Sequence, residues 1–159
     1  MRLLKTMLVV VIIIMSSFAW ISVSNVNAGT YLGDFCWSIE GEIEGVSYTS
    51  IMQVAVTDMG NGHYFLNGKE THTEEGETVI GAVHGNAEIV GDKVYMTLHS
   101  ANSSPDGMGA WTEYVVLDWP SLDGTMEFVG ISHEYDPEAT QPTELEHFGP
   151  WTVTFITCP

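Results

Sequence analysis

Apolar and polar residues alternate in short segments along the chain from residue 33 onwards, and turn residues separate these segments. The segments are rich in Val, Ile, Thr, Tyr, Phe and Trp, and their two-residue period is typical of strands with one buried face. Only residues 143–148 have the pattern of a short helical turn. The pattern predicts an all-β protein with eight strands at about residues 33–42, 47–57, 63–71, 78–90, 93–101, 110–119, 125–133 and 150–158.

The clearest turn in the chain is Gly91-Asp92, which stands between two alternating segments. A two-residue loop of this composition suits a primed hairpin turn, so it sets the register of the strands on either side. That register collects apolar residues on one face and polar residues on the other, so register and burial agree. The predicted pairs are Ile89 with Val94, Ala87 with Met96 and Gly85 with Leu98 on the apolar face, and Glu88 with Tyr95, Asn86 with Thr97 and His84 with His99 on the polar face. Asn61-Gly62 predicts a second hairpin.

Two cysteines bracket the predicted strands, with Cys36 near the start of the first and Cys158 at the end of the last. If these strands are antiparallel neighbours, the two positions come together, and a disulfide needs Cα atoms within about 7 Å. The first and last strands are neighbours in a closed up-and-down barrel, which is the architecture we predict. The alternative is a β-sandwich whose termini are clasped by the same bond.

The apolar face of the predicted strands should point into the barrel. An eight-stranded barrel is just wide enough to be filled by side chains or to hold one small ligand. We expect a filled interior, and the alternative is a cavity that opens at the end with the longer loops. The predicted inward residues are Phe35, Trp37, Ile39, Val94, Met96, Leu98, Met126, Phe128, Trp151, Val153 and Phe155, and the predicted ligand contacts are Trp37, Met96, Glu113, Phe128 and Trp151.

Gly33 and Trp37 lie in the first of these eight strands, and the whole pattern resembles the calycin group of lipocalin- and avidin-type barrels. The resemblance covers the predicted domain at the level of architecture. Lipocalins place this tryptophan two residues after the glycine, and an arginine packs on it. Here the spacing is four residues, no arginine follows residue 28, and no avidin-type biotin motif is matched. The resemblance implies a barrel and a capacity to bind ligands, and it carries over no site residues.

The first 28 residues have the pattern of a secretory signal peptide. Arg2 and Lys5 precede an apolar run over residues 7–15, and Val26-Asn27-Ala28 supplies the small residues of a cleavage site. Cleavage after Ala28 would leave one domain, residues 29–159, in a secreted or periplasmic location where disulfides form. The alternative is an uncleaved anchor, because the apolar stretch approaches the roughly 17 residues that a membrane span needs.

The predicted domain is strongly acidic. All 21 acidic residues follow residue 28, whereas Lys69 and Lys93 are the only basic residues there, so its formal net charge is −19. Nucleic acid and anionic membrane surfaces are therefore poor partners, because little could neutralise their phosphates. The charge indicates a well-solvated surface, and the alternative is attraction to a cation or a basic protein.

Six histidines also follow residue 28. His84 and His99 are predicted to face each other on the polar side of the hairpin, where two imidazoles could share a metal ion. Two ligands do not complete a site, and no spacing of the His-x-His kind supplies a third, so a solvated polar face is the other interpretation. His72 is interpreted as part of an acidic loop. No motif indicates a cofactor.

Glu113 alternates with Trp111, Val115 and Leu117, so it could point into the barrel. A carboxyl group in an apolar interior would have a raised pKa and could act as an acid, a base or a ligand anchor. In the other interpretation this face is outward, and Thr112, Tyr114 and Val116 fill the core. The sequence contains no nucleophile elbow, phosphate-binding loop or EF-hand spacing.

These features favour a non-enzymatic binding protein for a small apolar or amphipathic ligand. A second hypothesis is an interaction or structural protein with a filled barrel, which acts through its acidic surface or through residues 134–150, the longest predicted connection. A third is an enzyme that uses Glu113 and a histidine inside the barrel.

Overall fold

The protein is an all-β closed barrel of eight antiparallel strands in up-and-down order, and β8 pairs with β1. The computed structural model describes residues 29–43, 45–74, 77–103, 107–134 and 145–159. It confirms the predicted barrel, and the β-sandwich alternative is wrong. No helix among these residues has the length and hydropathy that a membrane crossing requires. The strands are β1 (Thr30–Ile43), β2 (Val46–Gly60), β3 (His63–Glu74), β4 (Glu77–Val90), β5 (Lys93–Ser103), β6 (Gly107–Asp118), β7 (Gly124–Glu134) and β8 (Glu146–Ile156).

The hairpin between β4 and β5 has the predicted register. All six predicted pairs are observed, from Ile89 with Val94 at the turn to His84 with His99. The predicted Asn61-Gly62 hairpin joins β2 and β3, with a shift of register between Asp58 and Gly60. Short turns therefore transmit the alternation of one strand to the next, and the polar sides of both strands stay on the outside of the barrel.

The last strand begins earlier than predicted. It starts at Glu146, and Phe148 pairs with Phe128 of β7, so the predicted helical turn is wrong for residues 146–148. Residues 146–148 have a loop-like composition, but they pair with β7 and extend the strand. The connection predicted for residues 134–150 is therefore shorter at both ends, because β7 ends at Glu134 and β8 begins at Glu146. Residues 135–144 lie outside the described residues.

A disulfide between Cys36 and Cys158 lies beside the seam that closes the barrel, as predicted. The β1–β8 seam runs from Cys36 opposite Ile156 to Glu40 opposite Thr152. The two cysteine Cα atoms are 5.1 Å apart, within the range that the bond requires. Cys36 is fully buried although it occupies the more polar face of its strand, because the C-terminal segment is bonded to it.

The core consists of the inward residues of all eight strands. Nine of the eleven predicted inward residues are buried, and Phe35 is partly buried against them. Phe155 is 40% exposed, so its predicted burial is wrong. It lies near the end of β8, where its ring still contacts Phe35 and Trp37 at centroid distances of 5.9 and 5.8 Å.

The two ends of the barrel differ in their connections. One end carries the two tight hairpins, the turn formed by residues 119–123 and the Cys36–Cys158 bond, and we call it the disulfide end. At the other end β1, β3, β5 and β7 finish and β2, β4, β6 and β8 begin. We call it the glutamate end, because Glu70 and Glu113 line its interior.

Candidate functional site

A cavity of about 290 Å³ occupies the barrel interior at the glutamate end. Its size is close to the lower limit of small-molecule sites, which span roughly 300–1,000 Å³. Polar side chains meet aromatic rings in its wall. The lining residues are Ile43, Tyr48, Thr49, Ser50, Glu70, His72, Ser100, Asn102, Trp111, Glu113, Met126, Phe128, Glu146, Phe148 and Trp151.

Glu113 points into this cavity from β6, where it stands between Leu98 of β5 and Phe128 of β7. The structure thus decides between the two interpretations of β6, since Val115 is buried and Tyr114 is 52% exposed. Only 2% of Glu113 is accessible to solvent, and its Oε2 atom has no hydrogen-bond partner among the described residues. A buried polar atom in this state costs about 1–3 kcal/mol, so Glu113 keeps an unused hydrogen-bonding position that faces the cavity.

A second carboxyl group, that of Glu70 on β3, shares the cavity. Burial is the main reason why the pKa of Glu113 rises to about 8, and the nearby Glu70 raises it further, against a hydrogen bond with Ser100. Burial also raises the pKa of Glu70, while the Ser50 hydroxyl, which donates to Glu70 Oε1, and His72 oppose the rise. Glu113 is therefore mainly protonated near pH 7.

Five aromatic rings form the remaining wall. Phe128 is at the centre, with its ring centroid 4.7 Å from that of Trp151 and 5.4 Å from that of Trp111, both nearly perpendicular to it. Phe148 lies 5.2 Å from Phe128, and Tyr48 stacks on Trp151 at 6.4 Å. Edge-to-face contacts of this kind hold the rings in fixed orientations, so the wall is preformed.

Two glycines make room for the tryptophan rings. A Cβ atom on Gly41 would lie 2.2 Å from the indole of Trp151, and one on Gly130 would lie 2.3 Å from the indole of Trp111. Because neither position has a side chain, each indole packs directly against the backbone of a neighbouring strand. The cavity exists in front of the rings for this reason.

A second cavity, of about 190 Å³, lies at the disulfide end, and its wall is almost entirely apolar. Trp37 and Met96 line it, whereas Glu113, Phe128 and Trp151 line the cavity at the glutamate end. The five predicted ligand contacts therefore belong to two sites instead of one. Sequence alternation placed them correctly on the inner face, but it carried no information on their depth along the barrel axis.

The remaining predicted site residues, His84 and His99, lie outside the barrel. Their rings face each other at a centroid distance of 5.6 Å, and both residues are exposed. The part of the chain that the structure describes contains no group of three His, Cys, Asp or Glu side chains suited to a metal ion. A metal bound by this pair stays a prediction.

Several lining residues were not singled out from the sequence. Glu70 and His72 lie on β3, so the interpretation of His72 as part of a loop is wrong. Both share the inner face with Leu66, two and three alternations away, and this period could have identified them. The acidic residues that follow His72 resemble a loop in composition, so the end of this strand was predicted too early.

Fold and cavity together define a closed eight-stranded up-and-down barrel with an internal site, an architecture compatible with a calycin-like fold. No model of a protein family, no curated protein and no solved structure matches the chain.

Proposed function

We propose that the protein is a secreted, calycin-like binding protein that holds one small amphipathic ligand in the cavity at the glutamate end. One observation carries this proposal: an aromatic cavity of about 290 Å³ surrounds a buried carboxyl group whose Oε2 atom has no hydrogen-bond partner in the part of the chain that the structure describes. Small-molecule sites combine apolar walls with a few convergent polar groups in this way. A filled core would have no reason to keep an unpaired carboxyl group.

The signal-peptide pattern and the disulfide support an oxidising location. The bond between Cys36 and Cys158 is of the kind that persists in secreted and periplasmic proteins. A preformed site lowers the cost of binding, and the packed aromatic wall around Phe128 supports a binding function in this way.

Two variants locate the ligand. Ser100→Leu should fill the glutamate-end cavity, and Ala87→Leu, its matched control, should fill the cavity at the disulfide end. We expect the protein, purified gently from its host, to carry a ligand seen as extra mass in a native mass spectrum. We also expect 2-phenylethanol, indole or 2-phenylethylamine to raise the melting temperature of the wild type and of Ala87→Leu but not of Ser100→Leu.

Two results would contradict the proposal. One is a bare chain mass together with no thermal response to any of the three probes. The other is loss of the response in Ala87→Leu alone, which would assign the ligand to the disulfide end.

A second candidate is an enzyme, because His72 lines the same cavity as Glu113 and Glu70. A protonated Glu113 could donate a proton to a bound substrate, and Glu70 or His72 could accept one. Mass spectrometry distinguishes this candidate. An enzyme would convert a probe or the carried ligand into a product of different mass, and Glu113→Gln would abolish this conversion.

A further inference from the structure

Two carboxyl groups stand close together in the wall of the glutamate-end cavity. The Oε2 atom of Glu113 has no hydrogen-bond partner in the described ranges, and Glu70 adds a second carboxyl group. No lysine or arginine within the described part of the chain lines the cavity. Lys69 points outward from β3, and Lys93 is paired with Asp118 at the disulfide end. Among the described lining residues only His72 can carry a positive charge, and it acts on Glu70, so a cationic ligand could pair with Glu113.

The aromatic wall favours the same kind of ligand. The faces of Trp and Tyr rings attract cations within about 6 Å of the ring centroid, most strongly where water is excluded. Trp111, Trp151 and Tyr48 all line the cavity, and Trp151 is only 8% exposed. These rings would pack against the apolar part of the ligand, and their faces would also attract its charged group.

Charge outside the cavity acts in the same direction. The chain has a formal net charge of −17, and this charge attracts cations and repels anions at the barrel surface. An inorganic cation would use the carboxyl groups but would gain little from five surrounding rings. An organic cation uses both parts of the site.

We propose that the cavity binds an organic ammonium ion, a primary or secondary amine with a small apolar body, whose N–H groups donate to Glu113 and Glu70. The inference rests on the proposed function and specifies its ligand class. The amine nitrogen lies at the carboxyl groups, and the apolar body lies among Trp111, Phe128 and Trp151.

Binding an ammonium ion to this site releases a proton. Before binding, Glu113 carries a proton because its pKa is about 8. In the complex, the carboxylate accepts from the ammonium ion, and the displaced proton passes to solvent. The affinity should thus rise with pH towards pH 8, by at most about tenfold per unit. The other titratable groups that face the cavity are Glu70 and His72 on β3, Glu146 on β8 and Tyr48 on β2.

Isothermal titration calorimetry with two matched probes tests the inference. 2-Phenylethylamine and 2-phenylethanol share one carbon skeleton, and only the amine is charged at pH 7. We expect the amine to bind at least about tenfold more tightly, and titrations in two buffers of different ionisation heat should show release of close to one proton. Glu113→Gln should weaken amine binding about tenfold or more while it leaves the alcohol nearly unchanged. Glu88→Gln, on the outer face, should change neither.

Three results would overturn the inference. Equal binding of alcohol and amine, insensitive to Glu113→Gln, would leave the proposed function in place with a neutral ligand. Binding of Ca²⁺ that needs Glu113 and displaces the amine would identify a metal site instead. Failure of both probes, with no carried ligand in the native mass spectrum, would refute the proposed function as well.

Discussion

The two ends of the barrel use their polar groups in opposite ways. At the disulfide end, the Trp37 indole donates to the Leu122 carbonyl at 2.9 Å, and the Trp119 amide donates to the Asp92 carbonyl at 2.8 Å. The Phe155 amide donates to Asp123 Oδ1 at 2.8 Å, which ties the 119–123 turn to β8. At the glutamate end, Glu113 is buried as deeply as Trp37, but its Oε2 atom has no hydrogen-bond partner among the residues that the structure describes.

This difference places the stabilising contacts at one end of the barrel and the proposed binding site at the other. Satisfied hydrogen bonds and a disulfide at one end stabilise the closed barrel, and their contribution offsets the cost of burying two carboxyl groups at the other. Binding sites commonly keep groups that would be unfavourable in a plain core. The comparison therefore predicts that substitutions at the two ends have different consequences.

The largest effect should come from the disulfide. The double variant Cys36→Ala, Cys158→Ala removes a bond between residues that are 122 positions apart in the sequence. For a loop of this length, the chain-entropy model gives a loss of roughly 4–5 kcal/mol in the free energy of unfolding. Urea denaturation of the double variant measures it. Because neither cysteine lines the glutamate-end cavity, the variant should still show the thermal response to the probes while it is folded. A loss below about 1 kcal/mol would show that the β1–β8 seam closes without the bond.

The next effect is a pH dependence set by Glu113. Its pKa is about 8 when folded and close to the ordinary 4.5 when unfolded, so the folded state holds the extra proton between these values. Stability from this group is complete below about pH 4.5, falls by up to about 1.4 kcal/mol per unit as the pH rises, and is constant above about pH 8. Glu70, whose pKa is also raised, adds a fall in the same direction.

Glu113→Gln isolates this contribution. Between pH 5 and pH 8, urea denaturation should show the variant gaining up to about 4 kcal/mol relative to the wild type. Glu88→Gln, whose side chain is exposed, should follow the wild type throughout. Parallel curves for Glu113→Gln and the wild type would mean that Glu113 is ionised in the folded protein.

The smallest effect compares one tryptophan from each end. Trp37→Phe removes the bond to the Leu122 carbonyl from a side chain that is 2% exposed, and it should cost about 2 kcal/mol. Trp111→Phe should cost about 1 kcal/mol or less, because Trp111 is only partly buried, but it should reduce the thermal response to the probes. The reverse order of stabilities would contradict the division between the two ends.

Most of the fold could be predicted from the sequence, because the alternation of apolar and polar residues in a strand shows which face is buried. The β4–β5 register followed from a two-residue turn and a two-residue period, and the paired cysteines then implied which strands close the barrel. The predicted burial of Phe155 and the predicted start of β8 were wrong, because alternation does not show where a strand leaves the barrel or where pairing begins.

The candidate site was only partly predictable. Glu113 was identified, but its direction was open because both faces of β6 have bulky residues. Glu70 was overlooked, since a carboxyl group in a strand usually faces solvent and its burial depends on Ser50 and Glu113 from other strands. Such a site is made by positions that meet only when the barrel closes, and no short segment contains its pattern.

The glycines behind the tryptophans have a consequence for the range of ligands that the proposed site could accept. The three atoms nearest to a Cβ atom at Gly41 all belong to the Trp151 indole, so a methyl group there would push this ring forward into the cavity, whereas a methyl group at Gly130 would also meet the Ala110 carbonyl oxygen at 2.3 Å. Neither glycine lines the cavity itself. The volume of the cavity can thus change through a residue that does not line it. Natural selection could alter the size of ligand that fits while all the lining residues stayed the same.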